Sequence, residues 1–345
     1  MLLRYRLHRS GLRGGLTVRA VTLDRPGGPE VLRVRDLARP RLRGGWALIR
    51  VMALGLNRSE LFTRRGLSPG VSLPRVLGIE CAGVVEESSD PGFPVGAAVA
   101  AAMGGMGRQF DGSYAQYALL PAAQLLRLDS ALPWTTLGAL PESYLTAHGS
   151  LEALRLRPGH RLLIRAATSS VGTAALALAA GRNVEIAATT RDPRKADALR
   201  ALGADHVILD AGAGIRDAVR AVWSDGADRV LDLVGGAAVL DSLAALSAGG
   251  SVCNSGILSD TWTIPGFEPL EDIPSGATLT TFSSSEINRG GWAQGALDGI
   301  VRAVESGDCP VAVDRIFRLQ DMADAHRYME ANRAIGKVVA VVHHP

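Results

Sequence analysis

The feature that most constrains the fold is an alternation of apolar runs with helix-like segments between residues 161 and 256. Runs such as RLLIRAA, NVEIAATT and RVLDLVG are largely apolar, and segments with helical periodicity, such as DPRKADALRALGA, separate them. Strands that are apolar on both faces belong to a parallel sheet that helices cover on both sides. The pattern therefore predicts a doubly wound α/β domain over residues 142–285.

The sequence before and after this region predicts a second domain. From Val18 to about residue 141, short runs such as ALIRVMALGL and CAGVVEE alternate with Gly and Pro turns, which indicates an antiparallel β-rich domain. After the α/β region come two helix-like segments and a terminal strand, KVVAVV, and we expect residues 286–345 to return to the β-rich domain. Residues 1–17 are expected to form a disordered tail, with an organellar transit peptide as the alternative.

Composition excludes several classes of protein. No apolar run approaches the ~18 residues of a membrane span, which excludes an integral membrane protein. Nucleic-acid binding is not expected, because aromatic residues make up only 5% of the chain. The net charge of +3 is no argument for it either, since five arginines among the first 20 residues supply more positive charge than that, and the rest of the chain is slightly acidic. Three cysteines without CxxC spacing indicate neither a disulfide framework nor a thiolate zinc site, and we expect a cytoplasmic protein.

The turn after the first strand of the parallel sheet predicts a dinucleotide site. In such sites a glycine-rich turn lets the backbone approach a pyrophosphate, and the next helix points its amides at the phosphates. The GxGxxG fingerprint is degenerate here, because Ala and Ser occupy the first two glycine positions of residues 166–172. An ordinary βα turn is the alternative, but the position between a strand and a small-residue helix favours a cofactor. The expected contacts are Ser169, Ser170, Val171 and Gly172.

The end of the second strand favours NADPH over NADH. An acidic residue at this place accepts from the ribose 2′-hydroxyl of NAD, whereas a 2′-phosphate requires cations. The strand ends in Thr190 and Arg191 without an acid at its tip, and Arg191 and Lys195 can grip a phosphate. Asp192 opposes this interpretation, although we expect it to cap the next helix. A solvated charged face is the alternative for the cations.

Motifs between Val18 and Val342 form an ordered set. They include GLNRSELFTRRG, PRVLGIECAGVVEE, FDGSYAQYALLPA, YLTAHGSL, VLDLVGG and AHRYMEANRAIGKVV. The set resembles the zinc-independent medium-chain dehydrogenases/reductases, and within them the quinone oxidoreductase branch. The resemblance implies a GroES-like catalytic domain over residues 18–141 and 286–345 and a Rossmann domain over residues 142–285. It also implies NADPH bound in the cleft between them, and a homodimer paired through Rossmann edge strands.

The resemblance further indicates that the chain holds no metal. Zinc-dependent members carry Cys or His at positions where this chain has Asn57, Ile79, and Glu142 or Ser143. A catalytic zinc keeps three such protein ligands. None of the side chains at these positions is a soft ligand, so we expect metal-independent chemistry.

Two residues are expected to be catalytic by match to the family motif. Without a metal, the protein must align donor and acceptor in a dry cleft and stabilise the oxyanion that forms. Asn57 is expected to direct its amide into this cleft, with Arg64 close by; a turn residue is the plainer interpretation of Asn57. Tyr144 and His148 are further candidate acids, although we expect His148 to be packed or solvated.

The family match places three more residues around the cofactor. Thr146 is expected against the nicotinamide, Gly256 where the backbone approaches the carboxamide, and Arg333 within reach of the adenosine phosphates. Their plainer interpretations are a helix-start hydroxyl, a simple turn and a surface charge. Lys337, one of only two lysines in the chain, is expected to support the last strand.

The residues after Asn57 bear on the substrate. Some relatives carry tyrosines there that can act as proton donors, whereas this chain has Phe62 and Ser68. Reduction of an enoyl thioester requires a general acid at Cα, so the sequence favours NADPH-dependent reduction of small-molecule quinones or activated α,β-unsaturated carbonyl compounds. The alternatives are a 2-enoyl-thioester reductase, which requires a basic groove for a CoA or carrier phosphate, and an NADPH-binding sensor or structural protein with little turnover.

Overall fold

The computed structural model describes residues 17–210 and 214–344. The predicted tail lies outside the described residues, except that Thr17 already belongs to the first strand. Within the described ranges, no helix is both long enough and apolar enough to cross a membrane.

Sixteen strands and ten α-helices are found in the described residues. The strands are β1 (Thr17–Leu23), β2 (Leu32–Ala38), β3 (Trp46–Leu56), β4 (Arg75–Val76), β5 (Glu80–Ser88), β6 (Ala98–Ala102), β7 (Tyr117–Pro121), β8 (Leu126–Arg127), β9 (Arg161–Arg165), β10 (Glu185–Thr190), β11 (His206–Leu209), β12 (Ala227–Asp232), β13 (Leu246–Asn254), β14 (Thr278–Thr281), β15 (Val313–Arg318) and β16 (Lys337–Val341). The helices are α1 (Arg58–Arg64), α2 (Trp134–Leu137), α3 (Pro141–Ala153), α4 (Ser170–Ala180), α5 (Ala196–Ala201), α6 (Ile215–Val222), α7 (Ala238–Ala244), α8 (Pro269–Asp272), α9 (Trp292–Ser306) and α10 (Met322–Glu330).

Six parallel strands form the sheet that the alternating pattern predicts. Their order is β11-β10-β9-β12-β13-β14, and every neighbouring pair is parallel. Leu162 and Ile164 of β9 pack into one core with α3, α4 and α9, whereas Leu163 packs into another with α6 and α7. Burial on both faces explains the continuous apolar runs. The expected Rossmann-type α/β domain is confirmed.

A mixed sheet of seven strands forms the β-rich domain. Its order is β15-β16-β3-β5-β6-β8, with β7 paired to β3, and a three-stranded sheet, β2-β1-β4, lies beside it. The terminal strand β16 runs antiparallel to β3, so the end of the chain closes this domain. Helix α9 precedes this return and packs against α3 within the core of the Rossmann domain.

The segment AAVLDSLAALSAGG has the composition of a single helix, but only its first half is helical. Helix α7 ends at Ala244, and β13 begins at Leu246, which pairs with Ala227 of β12. Leu246 is buried in the core that α6 and α7 form with the sheet. Tertiary burial therefore outweighs the helix propensity of this segment.

Tyr114 and His326 form a polar contact inside the β-rich domain. The Tyr114 hydroxyl lies 3.0 Å from His326 Nε2, and both side chains are fully buried. The burial of the ring, together with the nearby Arg64 guanidinium, lowers the pKa of His326 to about 3. His326 is therefore neutral in the folded protein at neutral pH, and it links α10 to the core.

We expect the buried His326 to lower the free energy of unfolding as the pH falls. The pKa of His326 is about 3 in the folded chain and about 6.5 in an unfolded one, so the unfolded state alone gains a proton as the pH falls below 6.5. At pH 5 this linkage removes about 2 kcal/mol from the free energy of unfolding. Urea denaturation at pH 7 and pH 5 should show a smaller loss for His326→Gln than for wild type. His343→Gln, at an exposed position, should keep the wild-type loss, and equal losses in all three proteins would contradict the assignment.

Candidate active site

A cavity of about 370 Å³ lies between the two domains. One wall comes from the β9–α4 turn and the end of β10, and the other from the end of β3, the start of α1 and residues 329–338. The cavity thus lies at the carboxyl ends of the central parallel strands. This is the switch point at which doubly wound sheets bind their ligands.

The β9–α4 turn presents the start of α4 to the cavity. Ser169 caps the helix, since its Oγ accepts from the Gly172 amide at 3.1 Å and donates to the Ala166 carbonyl at 2.8 Å. A Cβ on Gly172 would lie 2.7 Å from that carbonyl oxygen, so only glycine lets the helix approach the strand this closely. Ser169 and Ser170 line the cavity, whereas Val171 and Gly172 follow without lining it.

The end of β10 places one unpaired cation at the cavity. Thr190 and Arg191 both line it, and Arg191 has no ion-pair partner among residues 17–210 and 214–344. Asp192 caps the following turn, as expected, by accepting from the Arg194 backbone at 3.0 Å. Its two oxygens also accept from the Arg194 guanidinium at 2.9 Å. The carboxylate that opposed a 2′-phosphate is therefore paired.

Lys195 joins the two domains beside this cation. Its Nζ donates to the carbonyl oxygens of Asn332 at 3.0 Å and Ala334 at 2.9 Å, and burial lowers its pKa. Arg58 also lines the cavity and donates to Asn332 Oδ1 at 2.6 Å. Sequence reasoning missed Arg58, although it directly follows Asn57 in the motif GLNRSEL.

Asn57 is the N-cap residue of α1 and faces a buried cluster. Its Nδ2 donates to Glu80 Oε1 at 2.8 Å, and its Oδ1 accepts from Lys337 Nζ at 2.6 Å. Its backbone amide donates to Glu60 Oε2 at 3.1 Å, which completes a capping box. Both polar atoms of the amide are engaged, and Asn57 does not line the 370 Å³ cavity. The amide is thus directed at Glu80 and Lys337 instead of the cavity.

Lys337 is the centre of this cluster. Its Nζ lies 2.5 Å from Glu80 Oε1 and donates to Ser143 Oγ at 2.7 Å, and the residue is only 2% exposed. Gly55 makes room for it, since a Cβ there would collide with Lys337 Cε and the Glu80 carboxylate. The expectation that Lys337 only supports the last strand missed this role. Only two of the 37 lysine and arginine residues are lysines, and this rarity was the sequence signal that could have indicated a special role for Lys337.

Three carboxyl groups surround the one ammonium. Burial raises the pKa of Glu60 to about 8, and burial also raises the pKa of Glu142. Glu80 forms the short contact with Lys337, while Glu142 Oε2 lies 3.9 Å from Nζ. Glu60 is therefore protonated at neutral pH, burial opposes the ionisation of Glu142, and Glu80 is the carboxyl group in direct contact with the ammonium. Among the described residues, no group of three or more His, Cys, Asp or Glu side chains has an arrangement that could hold a metal ion.

Arg64, Thr146 and Gly256 are likewise away from the cavity lining. Arg64 is 1% exposed and forms an ion pair with Glu330. Because Arg64 belongs to α1 and Glu330 to α10, this pair favours a role in holding the two helices together. Thr146 Oγ1 donates to Glu142 Oε1 at 3.3 Å. Gly256 approaches a backbone closely, as expected, but the observed neighbour is the Leu233 carbonyl. Their contacts with a cofactor stay predictions.

Arg333 faces a second, open groove of about 560 Å³. The groove is formed by β15, α10 and the loop after α10, and its basic residues are Arg315, Arg318, Arg327 and Arg333. Arg327 pairs with Asp324 at 2.6 Å, whereas Arg318 and Arg333 have no ion-pair partner in the part of the chain that the structure describes. The segment 328–334 separates this groove from the cavity, because Tyr328, Ala331 and Arg333 line the groove, whereas Met329, Asn332 and Ala334 line the cavity.

Two family models match the chain. The alcohol dehydrogenase GroES-like domain matches residues 43–130, and the zinc-binding dehydrogenase model matches residues 202–340. The chain belongs to the medium-chain dehydrogenase/reductase superfamily. The similar proteins confirm the resemblance to its quinone oxidoreductase-like branch. The family to which the chain belongs is thus a family of oxidoreductases.

Three proteins illustrate the similarity. The quinone oxidoreductase of Pseudomonas aeruginosa is 29% identical over 91% of this chain and 96% of that protein. A phenolphthiocerol/phthiocerol polyketide synthase of Mycobacterium tuberculosis is 30% identical over 92% of this chain, which spans only 14% of that protein. The solved structure of mycobacterial Rv1454c complexed with NADPH has a TM-score of 0.84 at 27% identity, covering 94% of this chain and 99% of that one.

We expect Lys337→Met to destabilise the fold strongly. Removing the ammonium leaves the Glu80 carboxylate buried without its partner, which typically costs about 3–5 kcal/mol. Urea denaturation at pH 7 measures the loss. The double variant Lys337→Met/Glu80→Gln should recover a large part of it, because no uncompensated charge remains. A single variant as stable as wild type would show that the pair does not hold the cluster.

Proposed function

We propose that the chain is an NADPH-dependent, metal-independent oxidoreductase that reduces quinones or activated α,β-unsaturated carbonyl compounds. The observation that carries the proposal is the interdomain cavity, which combines the start of α4 with the unpaired guanidinium of Arg191. The similarity to the Pseudomonas aeruginosa quinone oxidoreductase and to NADPH-complexed Rv1454c supports it.

The residues at the cavity fit a phosphorylated dinucleotide. The amides at the start of α4, an 11-residue helix, suit the pyrophosphate, with Ser169 and Ser170 at its edge. Arg191 suits a 2′-phosphate, since Asp192 is neutralised by Arg194. Bound NADPH would supply a hydride from C4 of its nicotinamide. The two domain walls would orient it and exclude water.

A homodimer remains part of the proposal. Strand β14 is one of the two outer strands of the six-stranded sheet, and an edge strand is a ready template for pairing with a second copy. Measuring the molar mass in solution tests this expectation.

The first test is oxidation of NADPH and NADH by protein dialysed against EDTA, with a panel of quinones, enones and crotonyl-CoA as acceptors. We expect turnover with NADPH and quinones or enones, because the site holds cations for the 2′-phosphate and the reaction needs no metal. Higher catalytic efficiency with crotonyl-CoA than with any quinone would overturn the substrate assignment. Binding of NADPH without turnover would favour a sensor or structural protein.

The cofactor preference depends on Arg191. We expect Arg191→Ala to raise the dissociation constant of NADPH about 10- to 100-fold, the worth of a charge-assisted contact, and to change that of NADH little. Nicotinamide fluorescence titration measures both constants. Arg200→Ala removes a guanidinium on α5 that pairs with Asp197 at 2.8 Å and serves as the matched control. A similar loss for both cofactors would contradict the role of Arg191.

The second candidate function is 2-enoyl-thioester reduction. The groove at Arg318 and Arg333 supports it, because two unpaired guanidiniums beside the cavity suit a CoA or carrier phosphate. The similarity to a polyketide synthase points in the same direction. If crotonyl-CoA is turned over, Arg318→Ala/Arg333→Ala should raise its KM and leave that of a small enone unchanged.

A further inference from the structure

A short segment between α10 and β16 forms part of one wall of the interdomain cavity. We call residues 332–336 the strap. Asn332, Ala334 and Gly336 of the strap line the cavity, and Lys337, the centre of the buried cluster, follows directly. A dinucleotide bound in the cavity would therefore lie between the strap and the Rossmann domain.

The Rossmann domain holds the strap at both ends. At one end, Lys195 Nζ donates to the carbonyl oxygens of Asn332 at 3.0 Å and Ala334 at 2.9 Å. At the other end, the Gly336 amide donates to the Thr168 carbonyl at 2.9 Å. Lys195 and Thr168 line the cavity as well. The strap thus extends from the residues after β10 to the β9–α4 turn, the two places where the 2′-phosphate and the pyrophosphate of the cofactor are expected.

The β-rich domain fixes the strap independently of these contacts. The Ile335 amide donates to Asp314 Oδ1 at 2.9 Å, and Asp314 Oδ2 accepts from the Tyr328 hydroxyl at 2.6 Å. On the Rossmann side, the contact at Thr168 joins two backbones, whereas Lys195 holds the strap through its side chain. Loss of the Lys195 ammonium would therefore free one end of the strap and leave its attachment to its own domain in place.

We propose that Lys195 is a positioning residue that fastens the strap over the bound cofactor, for NADPH and NADH alike. This inference rests on the cofactor assigned in the proposed function. An ammonium has three N–H donors, and the strap engages two of those of Lys195. These two bonds go to backbone carbonyls and involve no group of the cofactor. Discrimination in favour of NADPH is then left to Arg191, whose side chain lines the same cavity.

A fastened strap keeps the two walls of the cavity together. Hydrogen bonds from an ammonium are stronger than those from a neutral donor, so Lys195 holds its end of the strap firmly. Without it, that wall is free to move away from the Rossmann domain, and a dinucleotide between the walls dissociates faster. The opening of such segments commonly limits the release of bound molecules from enzymes.

Lys195→Met tests the inference, because methionine keeps much of the apolar stem but has no N–H donor. The dissociation constants of NADPH and NADH are measured by nicotinamide fluorescence titration, and their dissociation rates by stopped-flow displacement. Both constants and both rates should rise about 10-fold, the worth of hydrogen bonds to a charged group. The free energy of unfolding in urea should stay at the wild-type value, since the attachment to the β-rich domain persists.

Arg200→Met is the matched control, since it also replaces a cation by methionine, on the following helix α5, at a side chain that is 54% exposed. It should keep the wild-type constants and rates for both cofactors. Lys195→Arg should restore most of the loss, because a guanidinium can donate to two carbonyl oxygens at once.

The outcomes separate the inference from the proposed function. A loss confined to NADPH would assign Lys195 to the 2′-phosphate and overturn the inference, and so would unchanged constants for both cofactors. A wild type that binds the cofactors but reduces no acceptor would overturn the proposed reaction, while an equal loss for both cofactors in Lys195→Met would still support the strap. A wild type that binds neither cofactor would overturn both.

Discussion

The buried ion pair of Lys337 and Glu80 is the contact on which the site depends. An ammonium has three N–H donors, and those of Lys337 meet Glu80 on β5, Asn57 at the start of α1 and Ser143 on α3. A buried pair is stable only when hydrogen bonds satisfy its remaining polar atoms. The terminal strand therefore sets the relative positions of three elements that arrive from distant parts of the chain.

The same pair lies where zinc-dependent relatives are expected to hold their metal. The residues around the ammonium include Asn57 and Glu142, which match positions of expected zinc ligands in zinc-dependent relatives. An ammonium with three engaged donors is not available to polarise a substrate oxygen. In the proposed reaction, charge that develops on the acceptor would then be neutralised by a proton, which suits acceptors that are reduced easily.

Local sequence patterns predicted the architecture better than the site. The apolar runs and the cap at Asp192 involve residues close in sequence, so periodicity and capping rules reach them. Asn57 meets Lys337 across 280 residues, and no local rule specifies that contact. Arg333 illustrates the same limit, since the motif that contains it indicated a basic position but not whether it faces the cavity or the groove.

The degenerate fingerprint shows how the fold tolerates the loss of two glycines. Its first glycine position holds Ala167, which is preceded by Ala166 in the left-handed region at φ 55°. Its second holds Ser169, whose hydroxyl satisfies both the Ala166 carbonyl and the Gly172 amide. Only the third position, Gly172, is sterically restricted to glycine by the backbone it touches. Helix–strand contact is therefore the requirement that this turn retains, and Ser169 and Ser170 keep the start of α4 at the cavity.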